Sequence, residues 1–223
     1  MKGDAILVGG ADEAGRGCVL GPLVICLATI ELGREHELKK IGVKDSKLLT
    51  PGRRKHLFNK IRDICTELVV MKTTANSLNE TMKKHSLNEI EAIEMGKALS
   101  LLKNPPQLVY IDSPDTEANR FCRRIRKYHK GEEELICEHK ADFNYPIVSA
   151  ASIIAKVERD AVIEEIKKEL CCDFGSGYSS DDRTISFLKN NFHREQVHKY
   201  IRKEWETIDK LKQRKLSEFE WDD

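Results

Sequence analysis

The apolar run Ala5-Ile6-Leu7-Val8 leads within four residues into two adjacent acids, Asp12 and Glu13, and then into Gly15-Arg16-Gly17. Such a run reads as a buried strand. An ionised carboxylate at its end shifts its pKa or finds a cation. The glycines let backbone N–H groups come close to an anion, and the arginine adds a guanidinium. A divalent ion beside a phosphate answers both halves of the pattern.

Apolar spacing predicts strands over residues 4–12, 19–30, 67–74, 107–112 and 134–139, with Gly21-Pro22 bending the start of the second. Helices are expected over 51–66, 88–102, 117–128 and 146–170. Thr50 is a natural N-cap, Pro51 suits a first turn, and Pro146 is tolerated only in one. Strands alternating with helices imply an α/β layer architecture. From Gly175 onward no strand is evident, and residues 184–216 read as two helices carrying Lys and Arg. The expected organisation is a core over residues 1–175 and a helical appendage over 176–223.

A chain of 223 residues can bury a sizeable core. Its net charge of +1 argues neither for nor against a polyanionic partner, since a balanced total can hide a basic face. The seven cysteines, odd in number and without a C-x-x-C pair, read as reduced thiols. There is no leader-like N-terminus, and no apolar run approaches the roughly 20 residues of a membrane span. A soluble, cytoplasmic protein is expected.

Asp112 closes a short apolar strand, as Asp12 does, and Asp142 stands just before the long helix. In open α/β sheets, ligands gather where strands end. Asp12, Glu13, Asp112 and Asp142 meeting at one point stay ionised only with cations among them. Oxygen ligands without His or Cys suit Mg²⁺ or Mn²⁺. Two such ions, about 3.5–4 Å apart, support in-line displacement at phosphorus. Taken singly, each acid also reads as a turn former or helix cap.

The remaining signals are ambiguous alone. Gly15-Arg16-Gly17 is a tight turn or an anion contact, and neither a Walker sequence nor a dinucleotide fingerprint is present. Lys47 in Asp45-Ser46-Lys47 is a loop residue or a phosphate contact. Tyr178, after Gly175-Ser176-Gly177, is a core anchor or a stacking platform. The stretch Arg120, Arg123, Arg124, Arg126 and Lys127 reads first as a solvated face.

Taken in order, the blocks Asp12-Glu13-Ala14-Gly15-Arg16-Gly17 with Gly21-Pro22, Lys44-Asp45-Ser46-Lys47-Leu48, Tyr110-Ile111-Asp112 and the long run from Lys140 to Asp160 resemble ribonuclease HII, in particular its archaeal form. The likeness spans about residues 6 to 180, with a weaker echo in Ile201-Arg202-Lys203-Glu204-Trp205. It implies a ribonuclease H-like core, a mixed β-sheet flanked by helices, with the C-terminal region contributing to substrate binding. It also implies a monomeric endonuclease that cuts the RNA strand of RNA/DNA hybrids and incises 5′ of ribonucleotides embedded in duplex DNA, leaving 5′-phosphate and 3′-hydroxyl ends. The implied acidic quartet is Asp12, Glu13, Asp112 and Asp142. Gly15, Arg16 and Gly17 would read the 2′-hydroxyl, and Tyr178 would pack on the following sugar.

Two departures stand out. Cys18 follows the Gly-Arg-Gly motif where Pro is frequent. Ser179-Ser180-Asp181-Asp182 replaces Pro-Ser-Asp-Pro, which is expected to free the loop that carries Tyr178. Gln213 and Phe219 within residues 213–223 are spaced unlike a sliding-clamp-binding peptide. The enzymatic alternative is a related metal-dependent DNA nuclease. The alternative from another class is a hybrid-binding module without catalysis, against which the full set of acids weighs.

Overall fold

The structure is a computed structural model that describes residues 6–43 and 49–219. One sheet carries five strands in the order β3-β2-β1-β4-β5: β1 (Leu7–Ala14), β2 (Leu23–Glu31), β3 (Glu67–Thr73), β4 (Leu108–Asp112) and β5 (Glu134–Glu138). β2 runs antiparallel to β1, while β4 is parallel to β1 and β5 to β4. The helices are α1 (Glu35–Ile41), α2 (Pro51–Ile64), α3 (Ala75–Met82), α4 (Leu87–Ser100), α5 (Ala118–Tyr128), α6 (Ala141–Asn144), α7 (Pro146–Leu170), α8 (Asp182–Asn191), α9 (Glu195–His198) and α10 (Glu206–Phe219).

Strand alternation sends Val8 to one face of the sheet and Ala11, Val109 and Ile111 to the other. Val8 joins a core with Ile147, Val148, Ala151 and Ile154 of α7 and Leu57 and Ile61 of α2. Ala11, Val109 and Ile111 pack with Met95 and Leu99 of α4 and Phe121 and Ile125 of α5. Both layers belong to one compact unit, formed by the described parts of Met1–Ala14, Val24–Lys72 and Ser86–Glu158. A second unit comprises Gly15–Leu23, Thr73–His85 and the described part of Arg159–Asp223, with its own core of Leu20, Ile163, Phe174, Phe187, Val197 and Ile201. The composition shift marks a single cut near residue 175, whereas these units interleave along the chain.

Thr50 caps α2 by accepting the Arg53 N–H at 3.3 Å, and Pro51 and Pro146 occupy first turns. Other elements differ from expectation. β2 begins at Leu23, because Pro22 has no N–H to give a ladder and Gly21 takes a φ of +95°. β1 continues to Ala14, so Asp12 is internal to the strand. α1 is mostly charged, with Leu38 its buried residue, and α3 is polar, with Thr74 accepting the Ser77 N–H at 3.2 Å. Neither has an apolar stripe long enough to announce a helix. Among the described residues, the C-terminal region carries three helices rather than two.

Two of the thiols expected to be reduced are joined: Cys122 of α5 and Cys137 of β5 form a disulfide. The pairing was invisible in a spacing of 15 residues and arises because α5 packs on β5, with 5.8 Å between the two Cα atoms. No helix of the described residues is long and apolar enough to cross a membrane.

Candidate active site

β1 pairs with β4 as far as Ala11 opposite Ile111, while its ladder with β2 runs on through Asp12, Glu13 and Ala14. Asp12 therefore sits where β1 parts from β4, level with Asp112 at the end of β4. Parallel register puts the two side chains on one face. Gly10 clears that face for α7. A Cβ there would lie 2.5 Å from the Ile147 carbonyl carbon and from the Val148 nitrogen, so any larger residue would push the helix off the strand. With α7 this close, the Ser152 hydroxyl hydrogen-bonds the Asp12 carboxyl and the Lys156 charge acts on it. Lys156 Nζ in turn donates to Ser152 Oγ.

Asp12 is 5% exposed. Burial pushes its carboxyl up to about 6; Lys156 opposes the shift, Asp112 reinforces it, and the Ser152 hydroxyl and Glu13 N–H oppose it further. The Glu13 N–H donates to Asp12 Oδ1 at 2.7 Å. After β5 the chain turns at Lys140, which holds a left-handed φ of 58°, and enters α6. There the Ala141 N–H donates to Asp112 Oδ1 at 2.8 Å. Asp142 is the next residue and is buried, while Glu13 is half-buried. Tyr145 braces this turn, stacked on Tyr110 at 3.7 Å and donating to Glu138 Oε1 at 3.0 Å.

The structure thus brings Asp12 and Asp112 side by side and ties Asp112 to the residue before Asp142. Among the described residues, no three His, Cys, Asp or Glu side chains are gathered into a ready-made metal cage. What the face offers is hard oxygen donors and a carboxyl raised first by burial and then by its acidic neighbour, the kind of site whose charge an added divalent cation offsets. The donor set fits Mg²⁺ or Mn²⁺.

Gly15, Arg16, Gly17 and Tyr178 lie together in the second unit. Gly15 takes a φ of +81°, and a Cβ on it would meet the Pro22 carbonyl oxygen at 2.5 Å. Its N–H donates to the Tyr178 hydroxyl at 3.3 Å, and Cys18 and Tyr178 form an antiparallel bridge. The Arg159 guanidinium lies 4.7 Å from the centre of the Tyr178 ring and donates to the Ser176 carbonyl at 2.7 Å. The loop expected to be freed by its missing prolines is pinned instead: Asp181 accepts the Ser176 N–H at 2.7 Å and the Arg183 N–H at 3.0 Å.

Lys47 lies outside the described residues, as does the end of the candidate clamp segment, residues 220–223. The basic helix α5 is largely answered by acids. Arg123 pairs with Glu117 at 2.8 Å, Arg124 with Asp115 at 2.9 Å and with Glu89, and Lys127 with Glu89 at 3.3 Å. Reading the sequence missed Ser152, Lys156 and Arg159 as site residues. Their signal is a spacing of four and three along α7, which puts all three on one face of the helix.

A family model described as Ribonuclease HII matches residues 9–208. The Ribonuclease HII of Pyrococcus horikoshii is 46% identical over 208 residues, covering 93% of this chain and 93% of that protein. The crystal structure of ribonuclease H2 from Pyrococcus horikoshii matches with a TM-score of 0.83 at 45% identity, covering 94% of this chain and 98% of that one. A structure of the PCNA:RNase HII complex from Archaeoglobus fulgidus contains a chain similar at TM-score 0.82 and 41% identity, with coverages of 90% and 96%.

Proposed function

We propose, from the premise that this chain belongs to the ribonuclease HII family, that it incises duplex DNA on the 5′ side of embedded ribonucleotides as well as cleaving the RNA strand of RNA/DNA hybrids. Family membership makes it a ribonuclease H enzyme. The finer reading rests on the two groups of residues described above. The observation that carries it is the Asp12–Asp112 pair, level on adjacent parallel strands, with the Asp12 carboxyl raised by burial and by Asp112.

Asp12, Glu13, Asp112 and Asp142 would hold two Mg²⁺ or Mn²⁺ ions. Bound there, such ions supply a lowered pKa for an attacking water and charge neutralisation for the leaving oxygen. Asp12, buried on the α7 side of β1 beside Asp112, would be one of the ligands. Ser152 and Lys156 hold the Asp12 carboxyl in one orientation. The Gly15-Arg16-Gly17 backbone reads the 2′-hydroxyl, the group that separates RNA from DNA at a given position. Tyr178, braced by Gly15 and Arg159, offers its ring to the neighbouring sugar. Lys47 is carried forward as a phosphate contact. The products are 5′-phosphate and 3′-hydroxyl ends, and the enzyme acts as a monomer.

The deciding experiment is cleavage of a duplex with one ribonucleotide, its products mapped to nucleotide resolution with Mg²⁺ and with Mn²⁺. A single cut 5′ of the ribonucleotide supports the reading, and equal cutting of an all-deoxy duplex overturns it in favour of a DNA nuclease.

A further inference from the structure

The largest fully buried side chain among the described residues is a charged one, Arg202. A guanidinium removed from water is destabilising unless its donors find acceptors. Here Nη1 donates to the Arg16 carbonyl at 3.0 Å and Nε to the Gly21 carbonyl at 2.9 Å. The Arg202 backbone N–H donates to the Val19 carbonyl at 3.0 Å, and the Gly21 N–H returns a bond to the Tyr200 carbonyl at 3.0 Å. Trp205 places its ring 4.9 Å from the guanidinium carbon. Asn79 grips the chain on both sides of Arg202: its amide donates to the Ile201 carbonyl at 2.9 Å and accepts the Lys203 N–H at 2.8 Å.

Residues 16–21 lie outside the named strands and helices, so their shape depends on such individual bonds. One planar fork spans two carbonyls five residues apart in the chain, one of them within Gly15-Arg16-Gly17. We infer that Arg202 is a positioning residue for ribose recognition, holding the Gly15–Gly17 backbone in the conformation that meets a 2′-hydroxyl. The inference rests on the reading of Gly15-Arg16-Gly17 proposed above. It gives the C-terminal Ile201-Arg202-Lys203-Glu204-Trp205 segment a task at the substrate without requiring it to touch nucleic acid. A lysine keeps the charge but has a compact ammonium in place of a fork, so it does not hold both carbonyls in this geometry.

The test measures binding rather than turnover. Dissociation constants are determined by fluorescence anisotropy, in chelator, for a DNA duplex with one ribonucleotide and for its all-deoxy counterpart. In the unaltered protein the ribonucleotide duplex binds more tightly. Arg202→Lys reduces that preference roughly tenfold, the effect of losing one charge-assisted hydrogen bond from the turn. Its KM on the ribonucleotide duplex rises while kcat is kept, because the carboxylate face is untouched. Asn79→Ala, which loosens residues 201 and 203 without removing the guanidinium, shifts the preference in the same direction by less, and decides the matter if Arg202→Lys does not fold by circular dichroism. A folded variant that keeps the full preference overturns the inference, as does one whose kcat alone falls. Equal binding of the two duplexes by the unaltered protein overturns instead the reading of Gly15-Arg16-Gly17 on which the inference rests.

Discussion

Two aspartates, one in each compact unit, live in opposite electrostatic conditions. Asp12 is buried on the sheet, where desolvation and the Asp112 carboxylate push its carboxyl up to about 6. Asp181 caps α8, and the N–H groups of Ser176 and Arg183 hold its carboxyl well below the usual carboxylate range. Asp181 is a finished contact: its charge is matched by donors from its own chain. Asp12 retains a deficit even with Ser152, Lys156 and Glu13 acting on it. Both carboxylates accept hydrogen bonds from their own chain, but burial outweighs them at Asp12 and is outweighed by them at Asp181.

The largest effect should come from removing a charge beside Asp12. Asp112→Asn is expected to lower cleavage of a single-ribonucleotide duplex by more than about a hundredfold, beyond the loss typical of a group that merely supports a metal ligand. Hybrid binding should remain, as an electrophoretic shift would reveal. Turnover at the unaltered rate would overturn the proposed metal-binding role of Asp112. Next in size is Gly10→Ala, whose added methyl meets the α7 backbone at 2.5 Å. It should destabilise the protein by about 1–3 kcal/mol, as overpacking does, read from denaturant unfolding.

The contrast is sharpest in a pair of variants with opposite signs. Asp181→Ala removes a helix cap and is expected to cost about 0.5–2 kcal/mol. Asp12→Asn removes a desolvated charge, and in chelator should raise the melting temperature by about 2–4 °C for each kcal/mol relieved. A fall in melting temperature for both would mean that the Asp12 environment is as complete as that of Asp181. The smallest effect is the acid dependence. Because Asp181 titrates lower in the folded state than in the unfolded, its stabilisation is present above the ordinary carboxylate range and is lost as pH falls through its folded value. The gap in melting temperature between the unaltered protein and Asp181→Ala should therefore narrow below a pH of about 4.

Legibility followed the range of the interactions involved. The core strands and the helices α2, α4, α5 and α7 are written in apolar periodicity, a local signal, and Thr50 and Pro51 mark the start of α2 correctly. α1 and α3 escaped because each buries little apolar surface and depends on its neighbours. The loop after Tyr178 was misread because counting prolines measures backbone freedom only. A single aspartate accepting two N–H groups restores what the missing rings would have supplied. Arg202 shows the same limit, since a buried arginine looks in sequence like any surface one.

Residue order alone determined the α/β architecture, the family and the identity of the acids worth suspecting, because strand period, helix period and motif order are properties of neighbours along the chain. Only the tertiary structure decided that Asp12 stands level with Asp112, that α7 reaches Asp12 across Gly10, that Cys122 meets Cys137, and that Arg202 grips the Arg16 and Gly21 carbonyls. Those facts depend on strand register and on the distance between packed backbones, quantities set by how the whole chain fills space.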